Sequence, residues 1–402
     1  MTPRPLLPLA LAALLALAPA AAADGDPAPA DGGSGTSTST TTSTTPTPPA
    51  SDDPQPATPA PAPTPPAVAF DAALRGPTVL SVEPNDTPLD GWNGWLLWSR
   101  RGPDGLFHLI ARRPDGSGVE LPTPPQPRPF DAGIGPGPSG QALVVYSRCA
   151  TPIAPAPTGC DVWQIDPQTG SDVPVPSASQ PDVDERHPAV WGRRIAFAQA
   201  VRGGSSARAG VAIAALDGPP PARPRHLGPR RERRGRAVTT VPEYGPVAID
   251  LRGSTIAYSW RAHGIRTRWS LRIAVGRRTR TVQSVAPGRR TFAEIGAPAL
   301  GRRDVIVPIL RSGGGGRSVL LRSSRNGARR WVLESGFSSA QTERYGSALT
   351  AIARPDDRHL AVVRRLASDG RFGCRATALP RTQGCELLWL DVDAQPWRRL
   401  RR

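Results

Sequence analysis

The sequence predicts an all-β fold: a six-bladed β-propeller of four-stranded blades, preceded by a signal peptide and a disordered Ser/Thr/Pro/Ala linker. Three observations predict it. A motif recurs about six times after residue 75, at a spacing of roughly 45–58 residues, the period of a propeller blade. Each unit divides into short runs rich in β-branched and aromatic residues, separated by Gly, Asp and Asn turns. The 49 Pro and 41 Gly of the 402 residues leave little room for long helices.

The motif places an acidic residue first, then a small or Pro-Ala stretch, then a Gly-basic turn, then an apolar strand. Glu185-Arg-His-Pro-Ala-Val-Trp-Gly-Arg-Arg-Ile-Ala-Phe-Ala and Glu243-Tyr-Gly-Pro-Val-Ala-Ile-Asp-Leu-Arg-Gly-Ser-Thr-Ile-Ala-Tyr are two copies of it. One four-stranded sheet cannot bury both of its faces. Radial stacking in a closed ring does so, which is why such units come as a set.

The N-terminus reads as a signal peptide over 1–23. Arg4 supplies the positive end, Leu6 to Leu17 the apolar run, and Ala21-Ala22-Ala23 a small-residue cleavage site. Residues 24–74 form a low-complexity linker. Thr36 to Thr45 is nearly all Ser and Thr, and Thr58 to Pro66 is Pro, Ala and Thr. Such a segment lacks the apolar surface to fold and is expected to be an extended tether or spacer, with hydroxyls open to O-glycosylation. No later segment is apolar for long enough to span a membrane as a helix. The mature chain is expected to be secreted, a monomer, outside the cytoplasm.

The domain, 75–402, carries 49 of the 50 basic residues and 27 of the 33 acids, an excess of 22 positive charges, and every basic residue is Arg. Such a surface favours anionic partners, although a GC-rich coding preference also replaces Lys by Arg. Nucleic acid is not expected, because no recognition helix, zinc spacing or stacking aromatic motif occurs.

The units follow in order. The first, Thr78 to Leu121, holds Trp95-Leu-Leu-Trp-Ser, Leu106-Phe-His-Leu-Ile-Ala and the turn Asp115-Gly116. The second, Phe130 to Val175, holds Ala142-Leu-Val-Val-Tyr-Ser, Cys160-Asp-Val-Trp-Gln-Ile and a turn closing at Gly170. The third, Asp182 to Leu227, holds Arg194-Ile-Ala-Phe-Ala and Gly210-Val-Ala-Ile-Ala-Ala-Leu. The fourth, Thr239 to Val285, holds Thr255-Ile-Ala-Tyr-Ser-Trp and Trp269-Ser-Leu-Arg-Ile-Ala-Val. The fifth, Thr291 to Leu333, holds Val305-Ile-Val-Pro-Ile-Leu, Ser318-Val-Leu-Leu-Arg and an Asn326-Gly327 hairpin. The sixth, Thr342 to Leu400, holds His359-Leu-Ala-Val-Val-Arg and Cys385-Glu-Leu-Leu-Trp-Leu-Asp.

Pro188-Ala-Val-Trp-Gly-Arg-Arg-Ile-Ala-Phe197 resembles the repeat of TolB-like propellers, roughly Pro-x-Trp-Ser-Pro-Asp-Gly-x-x-Ile-Ala-Phe, and Pro355-Asp-Asp-Arg-His-Leu-Ala-Val362 keeps its Pro-Asp turn. The Ser-Pro-Asp-Gly core is intact in no unit. The resemblance implies an extracytoplasmic binding or scaffold module. Some relatives join the propeller to a hydrolase domain, and no such domain is visible here.

The four Cys form two pairs of equal spacing, Cys149 with Cys160 and Cys374 with Cys385, the second of each in a Gly-Cys-acid-apolar context. Three connectivities are open. Equal spacing and export favour two local bridges. A four-Cys zinc site is the alternative, disfavoured because the short metal-ligand spacing is absent. No cofactor is expected.

No Gly-x-Ser-x-Gly occurs, and the five His are scattered over different units. The candidate ligand-binding residues are the acids that recur once per unit before the inner strand: Asp86, Asp131, Glu185, Glu243, Glu294 and Glu343. In a closed ring they would form a carboxylate circle near one mouth, suited to a cation or basic peptide. The same acids also suit a staple, each pairing with an Arg of its own or the next blade. Arg230, Arg231, Arg233, Arg234 and Arg236 form a basic connection expected to be a solvated loop that touches anionic polymer. The expected function is a non-enzymatic binding or scaffold role on an envelope protein or anionic wall polymer. The alternative is a propeller hydrolase or lyase acting on polysaccharide through axial carboxylates.

Overall fold

The structure is a computed structural model. It describes residues 74–400 apart from 153–156, 202–207, 222–230, 235–236, 241–242, 264–266, 288–292, 312–316, 336–346, 369–370 and 373–384. The expected signal peptide and all but the last residue of the expected linker lie outside the described residues.

Six antiparallel sheets follow one another around a ring. The chain opens with β1 (Thr78–Glu83). Blade one is β2 (Leu89–Trp92), β3 (Trp95–Arg101), β4 (Phe107–Arg112) and β5 (Gly118–Glu120). Blade two is β6 (Ala132–Pro136), β7 (Ala142–Thr151), β8 (Thr158–Ile165) and β9 (Asp172–Pro174). Blade three has three strands among the described residues, β10 (Val183–Trp191), β11 (Arg194–Val201) and β12 (Gly210–Ala215). A separate hairpin follows, β13 (Arg231–Arg234) with β14 (Ala237–Thr240). Blade four is β15 (Glu243–Arg252), β16 (Thr255–His263), β17 (Thr267–Val275) and β18 (Arg278–Val285). Blade five contains β19 (Ala293–Ile295), β20 (Ala299–Leu300), β21 (Asp304–Arg311), β22 (Arg317–Ser324) and β23 (Arg330–Ser335). Blade six contains β24 (Ser347–Ala353), β25 (His359–Ser368), the short β26 (Arg371–Phe372) and β27 (Cys385–Asp391). Last comes β28 (Arg398–Arg399), which pairs with β23. Among the described residues the one helical segment is a single 3-10 turn, Pro176–Ala178, and no helix is long and apolar enough to cross a membrane.

Three assignments differ from the sequence reading. β1 belongs not to the first blade but to the sixth, where it pairs with β27 as the outermost strand. The chain thus closes its ring by lending its first strand to its last sheet. The repeat could not show this, because the strand's own sequence fits any outer position. Leu74, assigned to the linker, is buried against the fifth and sixth blades. The basic connection is also not all loop: Arg231, Arg233 and Arg234 lie on β13, while Arg230 and Arg236 lie outside the described residues.

The buried residues form six clusters, each shared by two adjacent blades. Trp95 and Leu97 face blade two, with Phe130, Val144 and Tyr146. Leu96 and Trp98, one residue out of phase, face blade six, with Ala361, Val363 and Leu387. The same division recurs where Val305 and Val307 turn to blade four and Ile306 to blade six. A period of two along each strand therefore fills two interfaces at once.

Towards the axis the inner strands come close. A Cβ on Gly135 would overlap the Val190 carbonyl oxygen of the neighbouring blade, and one on Gly133 would lie 2.7 Å from the Pro188 carbonyl oxygen. Both partners are backbone, so neither yields by rotating a side chain. Cys149 and Cys160 face each other across β7 and β8 and are disulfide-bonded, which excludes the zinc alternative. Cys385 is also disulfide-bonded; Cys374 lies outside the described residues.

Gly135→Ala is expected to destabilise the domain by about 1–3 kcal/mol through overpacking, read as a lower denaturation midpoint; an unchanged midpoint would mean that the inner strands separate freely. Cys149→Ser with Cys160→Ser is expected to cost about 3 kcal/mol, from the entropy of the loop that the bridge closes, checked by chemical denaturation against the parent.

Candidate functional site

Each inner strand has one sheet partner and leaves its other edge facing the axis. The amides on that edge need acceptors. Acidic and hydroxyl side chains of the preceding blade supply several. Asp90 Oδ2 accepts from the Ile134 amide at 2.7 Å and Oδ1 from the Gly91 amide at 2.8 Å. Asp250 Oδ2 accepts from the Leu300 amide at 2.5 Å. Asp131 accepts from the His187 amide at 2.6 Å and meets His187 Nδ1 at 2.8 Å. Ser99 Oγ accepts from the Phe130 amide at 2.7 Å. Thr350 Oγ1 donates to Asp86 Oδ1 at 2.7 Å, joining blade six to the segment that leads into blade one.

These bonds surround a central cavity of about 690 Å³, to which all six blades contribute. That volume lies within the range of small-ligand sites. Of the six acids singled out from the repeat, Asp86, Asp131 and Glu294 line it. Glu185 is fully buried and is not part of the lining. Glu243 begins β15, with its side chain outside what is described, and Glu343 lies outside the described residues. Asp131 meets His187 of the next blade and Asp86 accepts from Thr350 of blade six, so both acids do tie neighbouring segments together.

Two further acids line the cavity, Asp90 and Asp250. Each lies two residues before the hairpin of its inner strand, where Trp92 pairs with Trp95 and Arg252 with Thr255. They are therefore at one level, on blades one and four, which are opposite in a ring of six. The corresponding residues of blades two, three and six are Ile134, Ala189 and Ala351. Asp250 also lines a smaller cavity of about 160 Å³ among the hairpins, with Arg252 and Arg354. The repeat-based reading missed the pair because it followed acids ahead of the strand. The available signal was an acid breaking an otherwise apolar inner strand at a fixed distance from its turn.

Burial lifts the Asp90 carboxyl well above the usual range, and the charge of Asp250 lifts it further, against the Ile134 and Gly91 amides. Burial also raises Asp250 to about 6, opposed by the Leu300 and Leu251 amides and by Arg252 and Arg325. Asp131 behaves differently. Burial pushes it up, but the charge and hydrogen bonds of His187, with Arg186, outweigh burial and hold it below the ordinary value. Ser147 Oγ has no hydrogen-bond partner, although the residue is only 4 % exposed and lines the cavity. Its counterparts Ser99 and Ser259 are bonded to the next blade, Ser259 Oγ donating to the Gly296 carbonyl.

An unfolded Asp ionises near pH 3.9, whereas folded Asp250 does so near 6. The native state therefore holds an extra proton between those values, and stability from this group falls as pH rises through them. Asp250→Asn keeps an acceptor for Leu300 and removes the buried charge. It is expected to melt higher than the parent at pH 7.5, with the gap closing towards pH 4, as thermal unfolding across that range would show. A lower melting point at pH 7.5 would mean that the ionised carboxylate supports the fold.

No family model matches the chain, and no curated protein matches it. Comparison with solved structures returns TolB and other propeller proteins. TolB from Acinetobacter baumannii aligns at 11% identity over 76% of this chain and 65% of that one, with a TM-score of 0.39. A puromycin-hydrolyzing peptidase from Mycobacterium tuberculosis aligns at 15% identity over 74% of this chain and 54% of that one, with a TM-score of 0.39. An oligogalacturonate lyase from Vibrio parahaemolyticus aligns at 9% identity over 81% of each chain, with a TM-score of 0.37. The chain spans about two thirds of the length of the TolB and about half that of the peptidase. By its own strand pairing, the chain is a six-bladed β-propeller.

Proposed function

We propose that this protein is an extracytoplasmic binding propeller that engages an envelope protein or an anionic wall polymer and performs no chemistry on it. The observation that carries the reading is the central cavity with its acids already committed. Asp86, Asp90, Asp131 and Asp250 each spend at least one oxygen on a hydrogen bond within the ring, so the wall is built for rigidity. A rigid cavity binds without paying for ordering. The Cys149–Cys160 bridge supports a location where disulfides persist. The net charge of +17 supports attraction to anionic envelope material.

One observation favours a second reading, a hydrolase or lyase acting on polysaccharide. Asp90 and Asp250 face one cavity with raised pKa values, and a raised carboxyl can serve as a general acid near neutrality.

Sedimentation of the purified protein with isolated cell envelope at low and high salt tests the first reading. Binding is expected, and its loss at high salt would identify an anionic polymer. Saturable, salt-resistant binding would identify a protein partner. Absence of binding at both, together with polysaccharide cleavage that Asp90→Asn or Asp250→Asn abolishes, would replace the first reading by the second.

A further inference from the structure

We propose that the central cavity receives the C-terminal residue of a partner protein, an apolar residue whose free carboxylate is held by Arg128 and Arg186. The proposal rests on the binding reading above and names which part of the partner is bound.

The charges of the wall are not equally available. Asp86, Asp90, Asp131 and Asp250 are spent on the bonds described above, and Glu294 is not free either. The two arginines that line the same cavity are in the opposite position. Among the described residues the guanidinium groups of Arg128 and Arg186 make no hydrogen bond and no ion pair. Other arginines that reach between blades are paired, Arg354 with Asp304 and Arg252 with Asp357. Arg186 is next to His187, and Arg128 is three residues before Asp131, the carboxylate that meets His187. Two unpaired guanidinium groups at a concave wall favour an anion, and their planar forks match a carboxylate.

A second, independent observation is how the backbone presents this corner. The register of β10 shifts between Arg186 and Ala189, so His187 and Pro188 together oppose the single residue Phe197. Such a bulge re-aims the side chains around it. His187 adopts φ 53° there. The only other non-glycine at positive φ among the described residues is Asn93, in a hairpin turn where Asn is tolerated. Strain of this kind persists where the surroundings enforce it, and it gathers at ligand clamps. Asp131 enforces it by taking the His187 amide and Nδ1. With the Nδ1 proton directed at Asp131, the neutral ring carries a lone pair at Nε2, an acceptor.

The rest of the wall decides what accompanies the carboxylate. It is mostly apolar, with six prolines, Pro129 and Pro188 among them, and with Phe130 and Trp269. Proline brings an apolar ring and no N–H. A C-terminal residue matches all three parts of this wall. Its carboxylate meets the two arginines, its amide N–H meets Nε2, and its side chain meets the prolines. An acidic sugar leaves the apolar wall uncovered, and a fatty acid has no N–H to donate.

The test uses the purified full chain and three probes: the peptide acetyl-Ala-Ala-Leu as its free acid, the same peptide ending in an amide, and decanoate. Calorimetry at low ionic strength is expected to show the acid binding at least tenfold more tightly than the amide, on the scale of hydrogen bonds between charged groups. Arg128→Gln with Arg186→Gln is expected to bring the acid down to the level of the amide. Arg128 is exposed, so Arg128→Gln alone leaves the fold in place; it is expected to weaken the acid by roughly threefold or more. Thermal melts of each variant separate lost binding from lost folding. Equal binding of acid and amide, no binding of either, or acid binding unchanged in both variants would overturn the proposal. Decanoate binding at least as tightly as the peptide acid, with the same dependence on the two arginines, would overturn it in favour of a free anionic amphiphile. If the peptides fail while envelope sedimentation succeeds, this inference falls and the binding reading stands; if both fail, both fall.

Discussion

Every strand of the ring depends on one constraint: each sheet is apolar on both faces and must be covered twice. The six buried clusters are the six interfaces that result, and none belongs to a single blade. Among the described residues no buried cluster lies on the axis, which is occupied by the cavity. Closing the ring is therefore not decoration. Without the cluster that joins blades six and one, Leu96, Trp98, Val363 and Leu387 would face water. At roughly 25 cal/mol per Å² of apolar surface, leaving two such faces open would exceed what most single contacts can restore.

Polar side chains then fix the spacing that hydrophobic contact leaves loose. Dispersion and burial are tolerant of small slides, whereas a carboxylate on a neighbour's amide is not. Asp90, Asp131 and Asp250 each bind the backbone of the following blade, and Gly133 and Gly135 allow the approach. Arginine contributes in the same way on the outside. Arg112 lies over Trp389 of the sixth blade, and Arg252 over Trp191 of the third. Buried Arg354 joins Asp304 of blade five. Part of the Arg excess is thus spent on holding blades together, by stacking and by forked hydrogen bonds that Lys cannot reproduce.

Much of the fold was legible because its signals are local. The alternation in Trp95-Leu-Leu-Trp or Val305-Ile-Val and the turns at Asp115-Gly116 and Asn326-Gly327 give strands and hairpins directly. The equal spacing of the cysteines gave the Cys149–Cys160 bridge. What was not legible depends on closure. The place of β1 follows from which edge remains open after six sheets have formed, and nothing in Thr78–Glu83 records it. The cavity acids were half legible. Asp86, Asp131 and Glu294 follow the repeat into the lining, but Glu185 turns into the protein. A register shift in β10 between Arg186 and Ala189 and the left-handed backbone of His187 (φ 53°) redirect the side chains there. Asp90 and Asp250 escape a motif search because their meeting is a property of opposite blades.

The way the ring is fastened also gives the molecule a mechanical direction. Leu74 packs against the fifth and sixth blades, and the chain then joins the sixth blade through β1, held to β27 by backbone bonds from Thr78 to Glu83. Tension applied through residues before Leu74 runs along that strand and loads its bonds together, in shear, rather than one after another. If those bonds yield, what detaches first is the clasp itself, and the five blades that do not use it are left paired. The other end of the chain is fastened elsewhere, with Arg398–Arg399 on β23 and Trp397 against blades five and six. Force between the two ends would thus pull on neighbouring sheets at their outer rims and leave the cavity wall unstrained until the clasp gives way.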